Sequence, residues 1–382
     1  MLYRRFGKTE QQVSILGFGC MRLPLLPGGN DAQIDEDLAI QLIRCAIDQG
    51  VNYIDTAYPY HGMTMGEGGA SEPLVGRALQ DGYRDKVFLA TKSPCWLVQK
   101  PADFDRFLDE QLARLQTDHI DFYLMHALDT EKWAILKANG YAQFLDRAIA
   151  SGRIRYAGFS FHDKLPLFKE IIDDYDWSFC QIQYNYLDEA FQAGTEGLRY
   201  AAAKDLGITI MEPLRGGKLA GSMPPDVQAV FDQAPEHYSP AQWGLRWVWN
   251  HPEVSVVLSG LNQLEHLQEN LRTASEMLPN SLTAEQESII SQAKAIFKAR
   301  TKVDCTGCRY CQPCPNDVPI PHIFNHYNNI YLFGAQDPAD SQGLGKQAAK
   351  CIQCGLCEEH CPQGIAIRQQ LAAIALEMGS AQ

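Results

Sequence analysis

Eight short apolar runs, separated by longer amphipathic stretches, dominate the first 285 residues of the chain. They are SILGFG (14–19), NYIDTA (52–57), KVFLATK (86–92), HIDFYLMH (119–126), RYAGFS (155–160), FCQIQYN (179–185), ITIMEP (208–213) and VSVVLSG (254–260). Each run is too continuously apolar for a strand with one face in water, which predicts parallel strands buried on both faces. The stretches between them, such as DEDLAIQLIRCAIDQG (35–50), carry apolar residues at helical spacing.

Eight strands that alternate with helices predict a closed (β/α)8 TIM barrel, with an open doubly wound α/β sheet as the alternative. The first strand is followed by GFGCMRLP, which lacks the third glycine of the dinucleotide fingerprint of an open sheet and is not followed at once by a helix. The barrel is therefore favoured. The sequence changes character near residues 286–300, which predicts a barrel over 1–285 and a second, smaller domain over 286–382 that begins with a linker helix.

Length and charge narrow the class of protein. The 382 residues suit a barrel of about 250 to 300 residues plus a small module. The formal net charge of −13 argues against a nucleic-acid partner, because phosphate backbones are bound mainly by cationic residues. No apolar run approaches the roughly 18 residues of a membrane helix, and the N-terminus lacks the apolar core of a secretory signal. We expect a cytoplasmic protein without a membrane-bound segment.

The cysteines are segregated along the chain. Four of the twelve are scattered through the first 300 residues, and the other eight fall between residues 305 and 361, which favours metal ligands over disulfides. The run CIQCGLCEEHCP (351–362) has the C-x2-C-x2-C-x3-C-P spacing of bacterial 4Fe–4S ferredoxins. The run CTGCRYCQPCP (305–315) has one residue fewer before its last cysteine. Zinc is the competing metal, but zinc sites usually pair two separated C-x2-C units.

The two cysteine runs therefore predict two 4Fe–4S clusters in a ferredoxin-type domain. In two-cluster modules the fourth cysteine of each run binds the other cluster. One cluster is predicted to be held by Cys305, Cys308, Cys311 and Cys361, and the other by Cys351, Cys354, Cys357 and Cys314. The segment between the runs is too long for a compact ferredoxin hairpin, so we expect this domain to be α-helical.

Polar residues close three successive apolar runs of the predicted barrel. Asp55 ends the second run, Lys92 the third and His126 the fourth, and Tyr60 follows Asp55 by five residues. Active sites of such barrels lie at the C-terminal ends of the strands. A tyrosine becomes a usable acid only beside a cation, which Lys92 would supply, while Asp55 would keep the lysine charged and His126 would orient a carbonyl oxygen. Any one of these residues alone is usually structural, but four at neighbouring strand ends favour a site for proton donation to a carbonyl.

The segments that carry these residues resemble the aldo-keto reductase family over about residues 3–285, and the cysteine module resembles its iron–sulfur subfamily. The most specific segments are DTAYPY (55–60), ATK (90–92), DFYLMH (121–126), GFS (158–160), QIQYN (181–185), EPLRGGKL (212–219) and LQEN (267–270). The resemblance implies an NAD(P)-dependent (β/α)8 barrel that reduces aldehydes or ketones with Asp55, Tyr60, Lys92 and His126. The family's spacing selects Tyr60 rather than Tyr58 as the acid.

The same resemblance implies a set of cofactor-binding residues. Ser160 and Gln181 would contact the nicotinamide carboxamide, the loop 215–219 would wrap the pyrophosphate, and Glu269 and Asn270 would contact adenine. The full predicted set is Ser160, Gln181, Asn185, Met211, Glu212, Leu214, Gly216, Gly217, Lys218, Gly260, His266, Glu269 and Asn270.

Three features depart from the family pattern. Met211 replaces an aromatic residue that stacks on the nicotinamide in many members. Gly260 and His266 replace a lysine and an arginine that bind the 2′-phosphate, so NADP(H) is expected with NAD(H) as the alternative. The loop 61–72 is longer and richer in methionine and glycine, which favours a mobile loop over the pocket. Trp96 is expected to form one wall of that pocket.

The predicted function is an NAD(P)H-dependent oxidoreductase of small carbonyl compounds that carries two 4Fe–4S clusters. Clusters pass single electrons whereas nicotinamides pass a hydride, and the sequence shows no signature of a flavin that could connect the two. The clusters could thus serve electron transfer with a ferredoxin- or flavodoxin-like partner, structure, or sensing. The remaining alternative is a non-enzymatic redox sensor on a reductase fold, which would not require Tyr60 and Lys92 together.

Overall fold

The computed structural model describes residues 1–305, 307, 309–334, 338–361 and 363–379. Ten strands lie within these residues: β1 Tyr3–Arg5, β2 Gln12–Ser14, β3 Leu16–Gly19, β4 Tyr53–Asp55, β5 Phe88–Ser93, β6 Ile120–Leu128, β7 Ile154–Phe161, β8 Phe179–Gln183, β9 Gly207–Met211 and β10 Val256–Gly260. The eight strands from β3 to β10 form a closed parallel barrel in chain order, because β10 pairs with both β9 and β3. The closure confirms the predicted TIM barrel and excludes the open sheet.

Helices follow the strands as the apolar spacing predicts. In the described residues they are α1 Glu36–Asp48, α2 Ser71–Ala78, α3 Ala102–Leu115, α4 Thr130–Ala138, α5 Tyr141–Ala150, α6 Leu165–Asp174, α7 Gly194–Ala203, α8 Pro225–Phe231, α9 Pro240–Trp249, α10 Leu264–Glu276, α11 Ala284–Arg300, α12 Ile320–Phe333, α13 Pro338–Ala348, α14 Leu356–Glu359 and α15 Ile367–Gly379. Short 3-10 turns at Cys20–Arg22 and Arg215–Gly217 follow two of the barrel strands. No helix in this part of the chain is long and apolar enough to span a membrane.

An antiparallel hairpin of β1 and β2 precedes the first barrel strand and was not predicted from the sequence. Phe6, between its two strands, is fully buried in the same apolar cluster as Tyr53, Phe122 and Phe179. Its ring centroid lies 4.7 Å from that of Phe122 and 5.4 Å from that of Phe179. Phe88 and Tyr53 at the starts of their strands pack at this end, so Phe6 closes the barrel at the N-terminal ends of the strands.

The chain divides into two compact units, of which the first comprises Met1–Gly217 with Ala241–Leu282 and the second Lys218–Pro240 with Thr283–Gln382. The segment 218–240 thus groups with the C-terminal residues, whereas the predicted barrel over 1–285 includes it. Within the second unit Arg300 Nη2 donates to Asp226 Oδ1 at 2.7 Å, and Gln286 Nε2 donates to Glu236 Oε1 at 2.9 Å. The regular secondary structure described in this unit is helical, as predicted, whereas the described parts of the two cysteine runs are mostly irregular.

Candidate active site

The four predicted catalytic residues lie together in the first unit. Asp55 ends β4, Lys92 and His126 lie near the ends of β5 and β6, and Tyr60 follows β4 in a turn. Lys92 Nζ donates to Asp55 Oδ1 at 2.7 Å, to the Thr56 carbonyl at 2.8 Å and to the Tyr60 hydroxyl oxygen at 3.2 Å. All three ammonium protons therefore have protein acceptors, and the Tyr60 oxygen is held beside a cation.

Burial and charge act against each other on this group. The side chains of Lys92 and Asp55 are 1% and 3% exposed. Burial favours a lower pKa for Lys92, but Asp55 and Tyr60 outweigh it and raise the pKa, so the ammonium stays charged. Burial raises the pKa of Tyr60, although the Lys92 charge opposes the shift, so the phenol is protonated at neutral pH. Tyr60 thus holds a proton next to a cation that stabilises the phenolate left after donation.

His126 provides a neutral imidazole beside the tyrosine. The ring centroids of Tyr60 and His126 are 6.0 Å apart, and that of Trp96 is 5.3 Å from His126 on another side. Burial, followed by the charge of Lys92, lowers the pKa of His126 well below its usual value. The neutral ring carries one N–H, which can donate a hydrogen bond to a carbonyl oxygen without adding a second positive charge beside Tyr60.

The methionine- and glycine-rich loop 61–72 is connected to this site at several points. The Trp96 indole N–H donates to the Met65 carbonyl at 2.8 Å, while the Met65 side chain is 59% exposed. The Gly69 N–H donates to the Tyr58 carbonyl at 2.8 Å, so the end of the loop is bonded to the turn that carries Tyr60. The predicted mobility of this loop stays a prediction; its contacts place it beside Trp96 and the catalytic turn.

A buried carboxylate, Glu72, supports the strand of Lys92 and was missed by the sequence analysis. Glu72 Oε1 accepts from Thr91 Oγ1 and Gln111 Nε2, both at 2.7 Å, and Oε2 accepts from Arg114 Nε at 2.9 Å. Gln111 Nε2 also donates to the Lys92 carbonyl at 3.1 Å. The network thus fixes the backbone of Lys92 through its carbonyl.

Residues 15–291, more than half of the chain, match the model of the aldo/keto reductase family. The chain belongs to the aldo/keto reductase family. Residues 304–366 match the model of the 4Fe-4S dicluster domain, so this aldo/keto reductase carries a C-terminal iron–sulfur domain.

The alignments of this aldo/keto reductase with two relatives cover most of the length of each relative. L-galactose dehydrogenase from Arabidopsis thaliana is 26% identical over 319 residues, covering 77% of this chain and 94% of that protein. The 6-dehydroglucose reductase of Novosphingobium aromaticivorans is 29% identical over 286 residues, covering 70% of this chain and 88% of that protein. Among solved structures, the apo form of aldo-keto reductase AKR11C1 from Bacillus halodurans is 26% identical with a TM-score of 0.59. The match covers 77% of this chain and 96% of that structure's chain.

The barrel mouth of this reductase fits the nicotinamide nucleotide that the family implies. Gln181 Oε1 is buried and has no hydrogen-bond partner among the described residues, while its Nε2 donates to Met211 Sδ at 3.5 Å. Ser160 Oγ accepts from the Ala127 N–H at 2.7 Å and keeps its own proton to donate. Ser160, near the end of β7, and its register partner Gln181 in β8 thus have polar atoms that a carboxamide could bind, and their role in binding the nucleotide stays a prediction.

Glycines shape the loop after β9. Gly216 and Gly217 are exposed at φ of 67° and 92°, and a Cβ on Gly217 would meet no atom within 4 Å. A phosphate can therefore approach this backbone closely. Leu214 is half-buried next to them, where a Cβ on Gly244 would lie 2.6 Å from its Cδ2. Lys218 belongs to the second unit, where its Nζ lies 5.8 Å from the Phe333 ring centroid.

The remaining predicted cofactor residues differ in how their side chains are used. Asn185 Nδ2 donates to Asp188 Oδ2 at 2.9 Å and to the Glu212 carbonyl at 3.1 Å, so its amide is engaged within the protein. Asn270 is buried and donates to Ser259 Oγ at 3.0 Å, which ties α10 to β10. The other three positions are more accessible: Gly260 is exposed at the end of β10, and His266 (exposed) and Glu269 (half-buried) lie in the first two turns of α10.

The predicted cluster ligands lie in the second unit. A cavity of about 190 Å³ is lined by five of them, Cys311, Cys314, Cys351, Cys354 and Cys357. Cys314 lines this cavity together with the three leading cysteines of the second run, but so does Cys311 of the other predicted set; which cysteines share a cluster stays a prediction. Cys305 and Cys361 pack against the apolar core of this unit, and Cys308 lies outside the described residues.

Polar contacts to sulfur accompany these cysteines. The Gly307 N–H donates to Cys305 Sγ at 3.4 Å, and Gln353 Nε2 donates to Cys351 Sγ at 3.7 Å. Donors of this kind tune the potential of iron–sulfur clusters. Among the described residues no three side chains of histidine, cysteine or carboxylate type form a group that could hold a single metal ion. The fit to clusters therefore rests on the thiol chemistry and on the shared cavity.

Proposed function

We propose that this aldo/keto reductase is a cytoplasmic NAD(P)H-dependent enzyme that reduces aldehydes or ketones to alcohols, and that Tyr60 is the proton donor. The observation that carries the proposal is the triple contact of Lys92 with Asp55, Thr56 and the Tyr60 oxygen. The nicotinamide, when bound, supplies the hydride. Ser160 and Gln181 hold its carboxamide. NADP(H) is proposed before NAD(H) because the resemblance to aldo-keto reductases implies it.

The side chains divide the remaining work. The N–H of neutral His126 binds the carbonyl oxygen and directs it towards Tyr60. The Tyr60 hydroxyl donates its proton to that oxygen, and Lys92 stabilises the resulting phenolate. Asp55 keeps the lysine charged and in place, and Trp96 excludes water from one side of the pocket.

Two relatives guide the choice of substrate. L-galactose dehydrogenase and 6-dehydroglucose reductase are named for sugar-derived compounds. Carbonyl compounds derived from sugars are therefore the first substrates to test, followed by simple aldehydes and ketones.

The deciding experiment compares Tyr60→Phe with Tyr58→Phe in carbonyl reduction. Loss of the proton donor is expected to lower kcat by about 10²- to 10⁴-fold, with the nucleotide Kd unchanged. Tyr58→Phe is the matched control, because the Tyr58 hydroxyl donates to Glu110 Oε1 at 3.2 Å and, unlike that of Tyr60, does not accept from Lys92. Full activity in Tyr60→Phe would contradict the proposal.

For the second unit we propose two 4Fe–4S clusters that exchange electrons with a ferredoxin- or flavodoxin-like partner. Cys354 is exposed, which supports access of an external electron carrier to the cluster held there. Anaerobically reduced clusters would be mixed with NADP⁺ or NAD⁺ while the absorbance of the reduced nicotinamide is followed. We expect the clusters to stay reduced, because no two-electron mediator is indicated. Reoxidation in step with nicotinamide reduction would show a single electron path instead.

A further inference from the structure

Arg22 is a basic residue at the barrel mouth that neither the family pattern nor the tetrad accounts for. It lies in the 3-10 turn Cys20–Arg22 directly after β3, and its side chain is 51% exposed. Its nearest acidic group is Glu212, whose Oε1 lies 3.8 Å from Arg22 Nη2. That distance is too long for a hydrogen bond, and an exposed ion pair of this kind contributes little to stability.

The side chain of Arg22 runs between two glycines that belong to different strand ends. A Cβ on Gly260 would lie 3.2, 3.4 and 3.5 Å from Cβ, Cδ and Cγ of Arg22. A Cβ on Gly216 would lie 3.0 Å from Arg22 Nη2. The aliphatic part of Arg22 therefore covers Gly260 at the end of β10, and the guanidinium reaches Gly216 in the loop after β9.

This position explains the glycine at residue 260. In the family resemblance, position 260 carries a lysine that binds the 2′-phosphate of the nucleotide. Here Arg22, which follows the neighbouring strand β3, occupies the space next to Gly260 that the first atoms of such a lysine side chain would need. In the parallel pairing Gly260 is the register partner of Gly19, three residues before Arg22. The adjacent strand end thus carries a positive charge of its own, and that charge lies beside Gly216 in the loop after β9.

We propose that Arg22 binds the pyrophosphate of the nicotinamide nucleotide, an inference that rests on the nucleotide binding proposed above. In the described part of the chain no hydrogen bond from Arg22 is recorded, so its guanidinium donors are available to phosphate oxygens. The guanidinium lies beside Gly216, in the loop whose backbone admits a phosphate. The Glu212 carboxylate lies 3.8 Å from this guanidinium without a hydrogen bond to it. The pyrophosphate is common to both nucleotides, so Arg22 acts on both.

The test measures direct binding of NADPH and of NADH, by calorimetry or nucleotide fluorescence, to the wild type and to Arg22→Met. Methionine keeps an aliphatic side chain over Gly260 and removes the charge. We expect both dissociation constants to rise about 10- to 100-fold, the effect of losing charge-assisted hydrogen bonds. Arg22→Lys is expected to restore part of the affinity, because an ammonium keeps the charge but not the bidentate geometry.

Two further variants and the wild type make the outcome decisive. Arg77→Met is the matched control, because Arg77 is 41% exposed and pairs with Glu36 at 2.7 Å on helix α2; its affinities should equal those of the wild type. Gly260→Ala puts a Cβ 3.2 Å from Arg22 Cβ and so shifts this side chain slightly, which should weaken both nucleotides less than Arg22→Met does. Unchanged binding in Arg22→Met overturns the inference, as does a loss confined to NADPH, which assigns Arg22 to the 2′-phosphate. A wild type that binds neither nucleotide refutes the proposed function itself.

Discussion

Lys92→Met tests the electrostatics of the site apart from its chemistry. The substitution keeps the length of the side chain and removes the charge from an ion pair whose two members are 1% and 3% exposed. Asp55 Oδ2 has no hydrogen-bond partner among the described residues, so Lys92 is what stabilises the carboxylate charge. Removing one partner of a buried pair costs about 3–5 kcal/mol, and we expect a loss of unfolding free energy of this size at neutral pH.

The loss should depend on pH with a defined sign. Burial raises the pKa of Asp55 and Lys92 opposes the shift, so without Lys92 the folded-state pKa rises further. The folded variant then keeps a proton that the unfolded chain releases above about pH 3.9. Each pH unit above this value costs the variant about 1.4 kcal/mol until the folded-state pKa is reached. The deficit of Lys92→Met should therefore be small at acidic pH and largest in mildly alkaline buffer.

Tryptophan fluorescence gives a clean assay for this deficit. All six tryptophans of the chain lie in the first unit, so their emission reports unfolding of the barrel and not of the cysteine-rich unit. Urea unfolding would be followed at acidic and alkaline pH. The control Lys86→Met breaks an exposed pair with Asp48 and should cost less than about 1 kcal/mol. Asp55→Asn with Lys92→Met should recover stability. Equal stability of wild type and Lys92→Met in alkaline buffer would refute the reasoning.

Three further outcomes are expected. Because the folded-state pKa of His126 is lowered while the unfolded side chain binds a proton near pH 6.5, barrel stability should fall as pH drops below that value, and His126→Gln should flatten a plot of melting temperature against pH; an equal slope would contradict this. Glu72→Gln leaves Arg114 without its buried counter-charge and should lower the unfolding free energy by about 3 kcal/mol and reduce kcat, with nucleotide affinity unchanged; unaltered kinetics would limit Glu72 to a structural role. Cys354→Ser should lower the iron content of anaerobically purified protein from about eight to about four atoms per chain, whereas Cys95→Ser should leave it at eight; a full complement in Cys354→Ser would remove that cysteine from the ligands.

Much of the barrel follows from the sequence because its strands are buried on both faces. Such strands appear as uninterrupted apolar runs, and the polar residue that ends each run must lie at the mouth. This is why the sequence alone groups Asp55, Lys92 and His126. The clusters of cysteines are equally local, since each set of ligands is almost complete within one short run.

Other features depend on contacts between residues far apart in the chain. Phe6 is an apolar residue in a polar N-terminal segment, and its place at the bottom of the barrel is set by Phe122 and Phe179. Glu72 starts a helix, where a glutamate is usually solvated; its burial becomes evident only when Arg114 and Gln111 are seen to face it. Neither role leaves a periodic or spacing signal in the sequence.

Arg22 shows why a family pattern should be compared around the barrel as well as along the chain. Read by position alone, Gly260 indicates the loss of a phosphate-binding cation. Parallel register places the end of β3 beside the end of β10, and the side chain after the first strand covers the second. A neighbouring strand end can therefore offer a cation to a different phosphate of the same nucleotide, and glycine at 260 leaves room for it because a Cβ there would lie 3.2 Å from Arg22 Cβ. Glycine at 260 and arginine at 22 are then coupled, because the arginine side chain lies where a side chain at 260 would begin.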